Sequence, residues 1–305
     1  MRAGVIAGCH RMRDAATISL LVAALALAGG MPGQSDTPPN AHAIGDRAVA
    51  AQHRDDAALE TYERVEREVQ MSGDSPPVVE QDRIYRVVPT GTGTLRLLLR
   101  DRGMPVTPDI YRQELQTWIR TLEAALNPNA DDVRGAFARA EEKRRTRTTI
   151  VDATREAYIA TWLGREMQDG YSCDKLRLDP NPNFRPRTTA AEFLAHARAT
   201  LWVDEKSGHV VRGEAEILRD ISFGGGVLGK VYKGGHLLLK QQPVAPDVWL
   251  PVLYQYDLSG RKFVFTFQLH NRVEVDHYRN LGPVSQALAV ARNDLARSAS
   301  FRGEP

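Results

Sequence analysis

The strongest pattern along the chain is an alternation of apolar and polar residues over 261–277. One-sided alternation of this kind is typical of an antiparallel strand with one face on a core. At about 3.3 Å per residue, such a strand is roughly 50 Å long and has to curve. Its apolar side consists of Phe263, Phe265, Phe267, Leu269, Val273 and Val275.

Weaker alternation predicts further strands before this one. They cover 61–71, 79–88, 94–100, 157–167, 173–178, 200–204, 209–223, 227–242 and 248–257. Short stretches of residues typical of turns separate several of these strands, for example Asp169-Gly170 and Asp257-Leu-Ser-Gly260. The second of these turns is predicted to lead into the long strand.

Apolar residues at helical spacing predict a helix whose buried face holds Tyr111, Leu115, Trp118, Ile119, Leu122 and Leu126. A second helix is predicted to start at Asp131-Asp132 and to run into the charged stretch 141–147, which we interpret as a solvated helix end. Further helices are predicted over 44–58, 189–197 and 284–297. The order predicts a single α+β domain over 44–297. Its expected architecture is a strongly curved open antiparallel sheet (a half-barrel) with helices on its concave side. A disordered tail is expected over 298–305.

The first 28 residues have the features of a cleavable secretory signal peptide. Arg2, Arg11 and Arg13 precede an apolar run over 15–28, and Ala26-Leu27-Ala28 supplies the small residues of a cleavage site before Gly29. The run is shorter than the roughly 20 residues that a spanning helix needs. An uncleaved anchor is the alternative interpretation. We expect a flexible leader over 29–43 and a periplasmic location.

The net charge and the cysteine content exclude some classes of protein. The formal net charge is +2, and removal of 1–28, with three Arg and one Asp, brings it to about zero. A near-neutral chain argues against a dedicated nucleic-acid binder. Only Cys173 would remain, so no internal disulfide is expected. No segment after the signal is apolar enough to span a membrane.

The stretch Gly224–Lys230 matches both GxGxxG and GxxxxGK. Both are phosphate-binding patterns when a helix follows. Val231 replaces the hydroxyl residue that would bind magnesium, and the residues after it predict a strand. We therefore interpret the stretch as a hairpin tip or a bulge.

The sequence predicts no catalytic residue, metal ligand or cofactor. It contains neither GxSxG nor HExxH. His270 and His277 lie about 23 Å apart on one predicted strand and cannot share a metal. A hydrolase with a site that these motifs do not reveal is left open.

A stretch of this sequence resembles a known superfamily. Leu201-Trp-Val-Asp-Glu-Lys-Ser-Gly208 followed by Val210-Val-Arg212 is similar to the LolA/LolB-like fold of periplasmic lipoprotein carriers, which RseB-type regulators share. The chain also resembles uncharacterised exported members of this superfamily, in the stretches Ile221–Gly226, Gly229-Lys230, Trp249-Leu-Pro251 and Gly260–Phe263. The resemblance covers about 44–297.

The resemblance implies a non-enzymatic protein with an apolar cavity for a lipid, a lipoprotein acyl chain or another apolar ligand, as in outer-membrane lipoprotein sorting. Burial of one acyl CH₂ is worth about 0.8 kcal/mol. The alternative is an envelope regulatory or scaffold module that binds a protein partner. The alternative role of the inward apolar residues is to pack as core against Trp118, Leu122 and Phe137 of the predicted helices. The candidate cavity-lining residues are Ile217, Ile221, Phe223, Trp249, Phe263, Phe265 and Phe267.

Overall fold

A computed structural model of the protein describes residues 39–73, 77–127, 131–223, 229–263 and 265–304. The predicted signal peptide and most of the leader lie outside these residues. The described helices are α1 (Ala41–Leu59), α2 (Pro108–Ala125), α3 (Asp131–Ala157), α4 (Thr189–His196) and α5 (Val284–Arg297). None of these helices is long and apolar enough to cross a membrane.

The strands are β1 (Tyr62–Ser72), β2 (Val78–Pro89), β3 (Thr94–Asp101), β4 (Met104–Pro105), β5 (Tyr158–Gln168), β6 (Tyr171–Pro180), β7 (Ala197–Asp204), β8 (Val210–Ile217), β9 (Ile221–Phe223), β10 (Gly229–Val231), β11 (His236–Ala245), β12 (Val248–Lys262) and β13 (Phe265–Asn280). They form an open sheet in the order β4-β3-β2-β1-β13-β12-β11-β8-β7-β6-β5, with β10 pairing β12 and β9. The ladders resolved residue by residue are antiparallel. The predicted α+β class and open antiparallel sheet are confirmed.

The chain divides into two compact units, where the sequence predicts a single domain over 44–297. Unit 1 holds the described residues up to 54 and Arg147–Asn271. Unit 2 holds Asp55–Thr146 and the described residues from 272 onward.

Unit 2 is organised around helix α2. Thr107 caps its start by accepting a hydrogen bond from the Ile110 amide, and a proline occupies its first turn. The predicted apolar face, from Tyr111 to Leu122, is buried. It packs into one cluster with Val88, Leu97 and Leu99 of the sheet and with Leu281, Ala287, Leu288, Ala291 and Phe301.

Two predicted strands of unit 1 are each divided in the structure. The strand expected over 209–223 ends at Ile217 and resumes as β9, and the one expected over 227–242 becomes β10 and β11. Residues 218–220 and 232–235 lie outside the strands. Between these two segments the Lys233 amide donates a hydrogen bond to the Asp220 side chain instead of to a strand carbonyl.

Two further boundaries differ from the sequence prediction. Helix α3 continues ten residues past the charged stretch, to Ala157. The residues after α5 lie in the stretch for which the sequence analysis expects a disordered tail. Ser298–Ser300 form a 3-10 turn, and the Phe301 ring stacks on Tyr111 at a centroid distance of 3.9 Å.

Candidate functional site

The turn between β12 and β13 lies later than the sequence predicts. Asp257–Gly260 is part of β12, which continues to Lys262. The reason is pairing with β10, in which Val231 lies opposite Gly260 and Gly229 lies opposite Lys262. The chain reverses at Phe263, whose φ is +54°. A positive φ is uncommon for a bulky non-glycine residue, so the surrounding ladders have to hold this backbone in place.

The shifted turn leaves aromatic side chains in solvent. Phe263 is 51% exposed and Phe265 is 62% exposed, although the sequence pattern places both on the core side. Phe267 is half-buried. Its ring lies over Gly260, where an added Cβ would come within 2.7 Å of the Phe267 Cζ. Glycine at 260 therefore makes room for this ring.

A fourth phenylalanine lies on the neighbouring strand. Phe223 is half-buried on β9, opposite Gly229, and its ring contacts Phe193 of α4 at a centroid distance of 6.1 Å. Gly229 pairs with Phe223 on one side and with Lys262 on the other. We call the set Phe223, Phe263, Phe265 and Phe267 the aromatic end of unit 1.

The remaining predicted lining residues lie elsewhere in unit 1 or in its interior. Ile221 is buried opposite Val231, two residues before Phe223 of the aromatic end. Ile217 is buried, with its Cδ1 3.0 Å from where a Cβ on Gly235 would lie. Trp249 belongs to a separate cluster with Tyr171, Cys173, Trp202 and Val211, and its ring stacks on His209.

The charged residues around the aromatic end are mainly basic. Across 219–233 and 259–265 the chain carries Asp220 as its one acidic residue, against Arg219, Lys230, Lys233, Arg261 and Lys262. The Lys230 Nζ lies 2.8 Å from the Asp220 Oδ2. Its hydrogen bond, together with one from the Lys233 amide, lowers the pKa of Asp220. Sequence reasoning missed this local excess because the two stretches are far apart along the chain.

Unit 1 also carries a polar groove of about 370 Å³ that the sequence analysis did not find. Its carboxylates are Glu214, Glu216 and Asp257. Asp257 is 2.9 Å from the His270 Nδ1, and Glu214 pairs with Arg212. Within the described residues, no group of three or more His, Cys, Asp or Glu side chains is arranged to hold a metal ion.

The thiol of Cys173 is buried and has a raised pKa. Burial is the largest cause, followed by repulsion from Asp204 and Asp174, and together they raise the pKa of Cys173 to about 12. Because the thiolate is the reactive form, we expect native protein at pH 8 to react with iodoacetamide at least about 1,000-fold more slowly than protein in 8 M urea. Mass spectrometry of the labelled protein measures this ratio. Equal rates would show that the thiol is accessible in the folded state.

Comparisons with known proteins give structural likenesses only. No family model matches the chain, and no curated protein gives a significant match. A domain described as an outer membrane lipoprotein-sorting protein, from Vibrio parahaemolyticus, is similar with a TM-score of 0.32 at 8% identity, over 81% of this chain and 99% of that one. A DUF1329 family protein from Desulfovibrio piger has a TM-score of 0.27 at 10% identity, over 77% and 92% of the two chains.

MucB in its complex with the periplasmic part of MucA has a TM-score of 0.21 at 10% identity, over 83% of this chain and 97% of that one. The structures found are of the kinds that the sequence resemblance names.

Proposed function

We propose that this protein is a non-enzymatic binding protein of the cell envelope, which binds the acyl chain of a lipid or lipoprotein at the aromatic end. The observation that carries the proposal is the exposure of Phe263 and Phe265 beside the half-buried Phe267. Covering one phenylalanine side chain is worth about 1.5–3 kcal/mol. Because the folded protein leaves these rings exposed, an apolar ligand that covers them would gain the free energy of removing them from water.

Six of the seven predicted residues take part in this proposal. The four phenylalanines of the aromatic end contact the ligand, and the buried Ile217 and Ile221 support the sheet next to them. Trp249 lies at the opposite end of β12 from Lys262, in a separate cluster, and has no role in this site. An acyl chain that covers four methylenes on this surface would gain about 3 kcal/mol.

A titration with a fluorophore-labelled fatty acid tests acyl binding. We expect the double variant Phe263→Ser/Phe265→Ser to bind at least about tenfold more weakly, which corresponds to 1.4 kcal/mol. The matched control is Val78→Ser/Val79→Ser, which removes two exposed apolar side chains from β2, 66% and 54% exposed. We expect the control to stay within twofold of the wild type. Equal affinity of wild type and the phenylalanine variant would overturn the proposal.

The predicted signal peptide supports a periplasmic location, and the role in outer-membrane lipoprotein sorting is part of the proposal that the sequence resemblance implies. N-terminal sequencing of protein isolated from the envelope should begin near Gly29. An intact Met1 would indicate an anchored protein instead.

An envelope regulatory or scaffold module is the alternative, since exposed aromatic side chains are also typical of protein interfaces. Native mass spectrometry of the protein isolated from the envelope separates the two. A lipid adduct supports the ligand-binding function, whereas a stoichiometric protein adduct supports the module.

A further inference from the structure

We propose that the polar groove of unit 1 binds an organic cation, an amine or a guanidine on an aliphatic stem, whose head group lies between Glu216 and His236. This site is separate from the aromatic end. Side chains alternate along β12, so Asp257 of the groove and Gly260, the glycine beneath the Phe267 ring, lie on opposite faces of the sheet. A cation in the groove is therefore independent of the proposed acyl binding and goes beyond it.

The groove is built on a row of side chains from four neighbouring strands. Arg198 of β7 lies opposite Glu216 of β8, and Glu216 lies opposite His236 of β11. His236 in turn lies opposite Asp257 of β12. Because neighbouring strands are about 4.8 Å apart, the row is about 14 Å long. Successive members of the row are close enough to interact.

The two ends of the row are paired with side chains outside it. At one end, the Arg198 Nε lies 2.6 Å from the Asp179 Oδ1. At the other end, the His270 Nδ1 lies 2.9 Å from the Asp257 Oδ1. These partners compensate the charges at both ends of the row.

The two side chains in the middle of the row have no such partners. Glu216 and His236 are exposed and directly opposite each other. Within the part of the chain that the structure describes, neither side chain makes a hydrogen bond or an ion pair. Glu214, the remaining carboxylate of the groove, pairs with Arg212. The groove thus holds one uncompensated carboxylate, and the unpaired imidazole beside it marks the position of the site.

The chemistry of this pair selects the class of ligand. A carboxylate only accepts hydrogen bonds, and a neutral imidazole has one acceptor nitrogen. A guanidinium or a primary ammonium group carries several N–H donors, so one head group can donate to both side chains. The half-buried Leu238, opposite Glu214 in the next row, provides an apolar contact for the stem. The groove volume of about 370 Å³ lies in the range of small-molecule sites.

Isothermal titration calorimetry at pH 8 and low salt tests the site with agmatine, which has a guanidinium and an ammonium group on an aliphatic stem. We expect Glu216→Gln to bind agmatine at least about tenfold more weakly than the wild type, because it removes the charge that the head group contacts. His236→Leu removes the acceptor nitrogen and should weaken binding at least about threefold. The matched control Glu156→Gln makes the same charge change at another exposed position of unit 1 and should stay within twofold.

A capped tripeptide, acetyl-Gly-Arg-Gly-amide, separates two sources of the same cation. Tighter binding of agmatine than of the tripeptide indicates a free small molecule. Tighter binding of the tripeptide indicates an arginine side chain of a protein partner. Either result supports the cation site.

Two results would overturn the cation site, once circular dichroism has shown that each variant is folded. One is that the wild type binds neither probe at about 10 mM. The other is that Glu216→Gln and Glu156→Gln lose affinity equally, which would mean a general attraction of cations to the surface. Glu216→Gln should bind the labelled fatty acid like the wild type, because the aromatic end is unchanged. Failure of one site therefore leaves the other standing.

Discussion

Replacing Arg86 with methionine should lower the free energy of unfolding of unit 2 by about 3 kcal/mol, because it removes the buried counter-charge of Glu63 and Asp294 and leaves them only the exposed partners Arg279 and Arg297. Arg86 is 1% exposed. Its Nη2 lies 2.7 Å from the Glu63 Oε2, and its Nη1 lies 2.8 Å from the Asp294 Oδ2. Urea-induced unfolding followed by tryptophan fluorescence measures the change.

The electrostatics around Arg86 support this size of effect. Burial by itself would lower its pKa, but the attraction of Glu63, Tyr111 and Asp294 outweighs burial, and the pKa of Arg86 is raised. The Nη1 also donates a hydrogen bond to the Tyr111 hydroxyl oxygen at 3.1 Å. The charged form of Arg86 is therefore strongly favoured in the fold.

Arg145→Ala provides the control for Arg86→Met. Arg145 pairs with Glu141 on the surface of α3, with its side chain 72% exposed. Exposed pairs contribute little, so we expect a change within about 0.5 kcal/mol. A loss below about 1 kcal/mol for Arg86→Met would mean that Arg279, Arg297 and water together compensate the charges of Glu63 and Asp294 once the guanidinium is removed.

Trp118→Ala should destabilise unit 2 by about 3–5 kcal/mol, the usual cost of truncating a buried large aromatic side chain. Trp118 is 0% exposed at the centre of the α2 cluster. Its indole Nε1 donates to the Pro89 carbonyl at 3.0 Å, and the Arg86 guanidinium lies 5.2 Å from its ring centroid. Urea unfolding monitored by far-UV circular dichroism measures the loss, since the fluorescence changes with the tryptophan itself.

Two further variants on α2 test this prediction. One is a control at an exposed position, and the other separates the packing of Trp118 from its hydrogen bond. Ile110→Ala removes a side chain that is 46% exposed, and it should change the stability by less than about 0.5 kcal/mol. Trp118→Phe keeps most of the packing but leaves the Pro89 carbonyl unpaired, at a cost of about 1–3 kcal/mol. If Trp118→Ala cost no more than Ile110→Ala, the cluster would not be the core of the unit.

The sequence alone located the elements whose signal is local. The helical spacing from Tyr111 to Leu122 predicted α2 and its buried face correctly, because period and burial coincide on an amphipathic helix. Leu126, the last residue of that predicted face, follows the end of the helix and is 48% exposed. The alternation also placed β1, β2 and β3 to within one or two residues.

The sequence prediction was incomplete where contacts between distant segments determine the end of a strand or the burial of a side chain. Asp257–Gly260 consists of residue types that favour a turn, yet pairing with β10 keeps this stretch in a strand. Arginine and glutamate usually lie at the surface. Arg86 and Glu63 are nevertheless buried and meet Asp294, which lies 208 residues from Arg86 along the chain. No local pattern contains such a pairing.

The long alternation over 261–277 shows most clearly which features follow from the sequence and which from the tertiary structure. By itself it determined that a strand runs there and that Val273 and Val275 are core residues, both 3% exposed. It could not determine that Phe263 and Phe265, with the same character and parity, stay in solvent. Alternation defines the two faces of a strand, but burial of a face depends on whether other segments of the chain cover it, which only the tertiary structure decides.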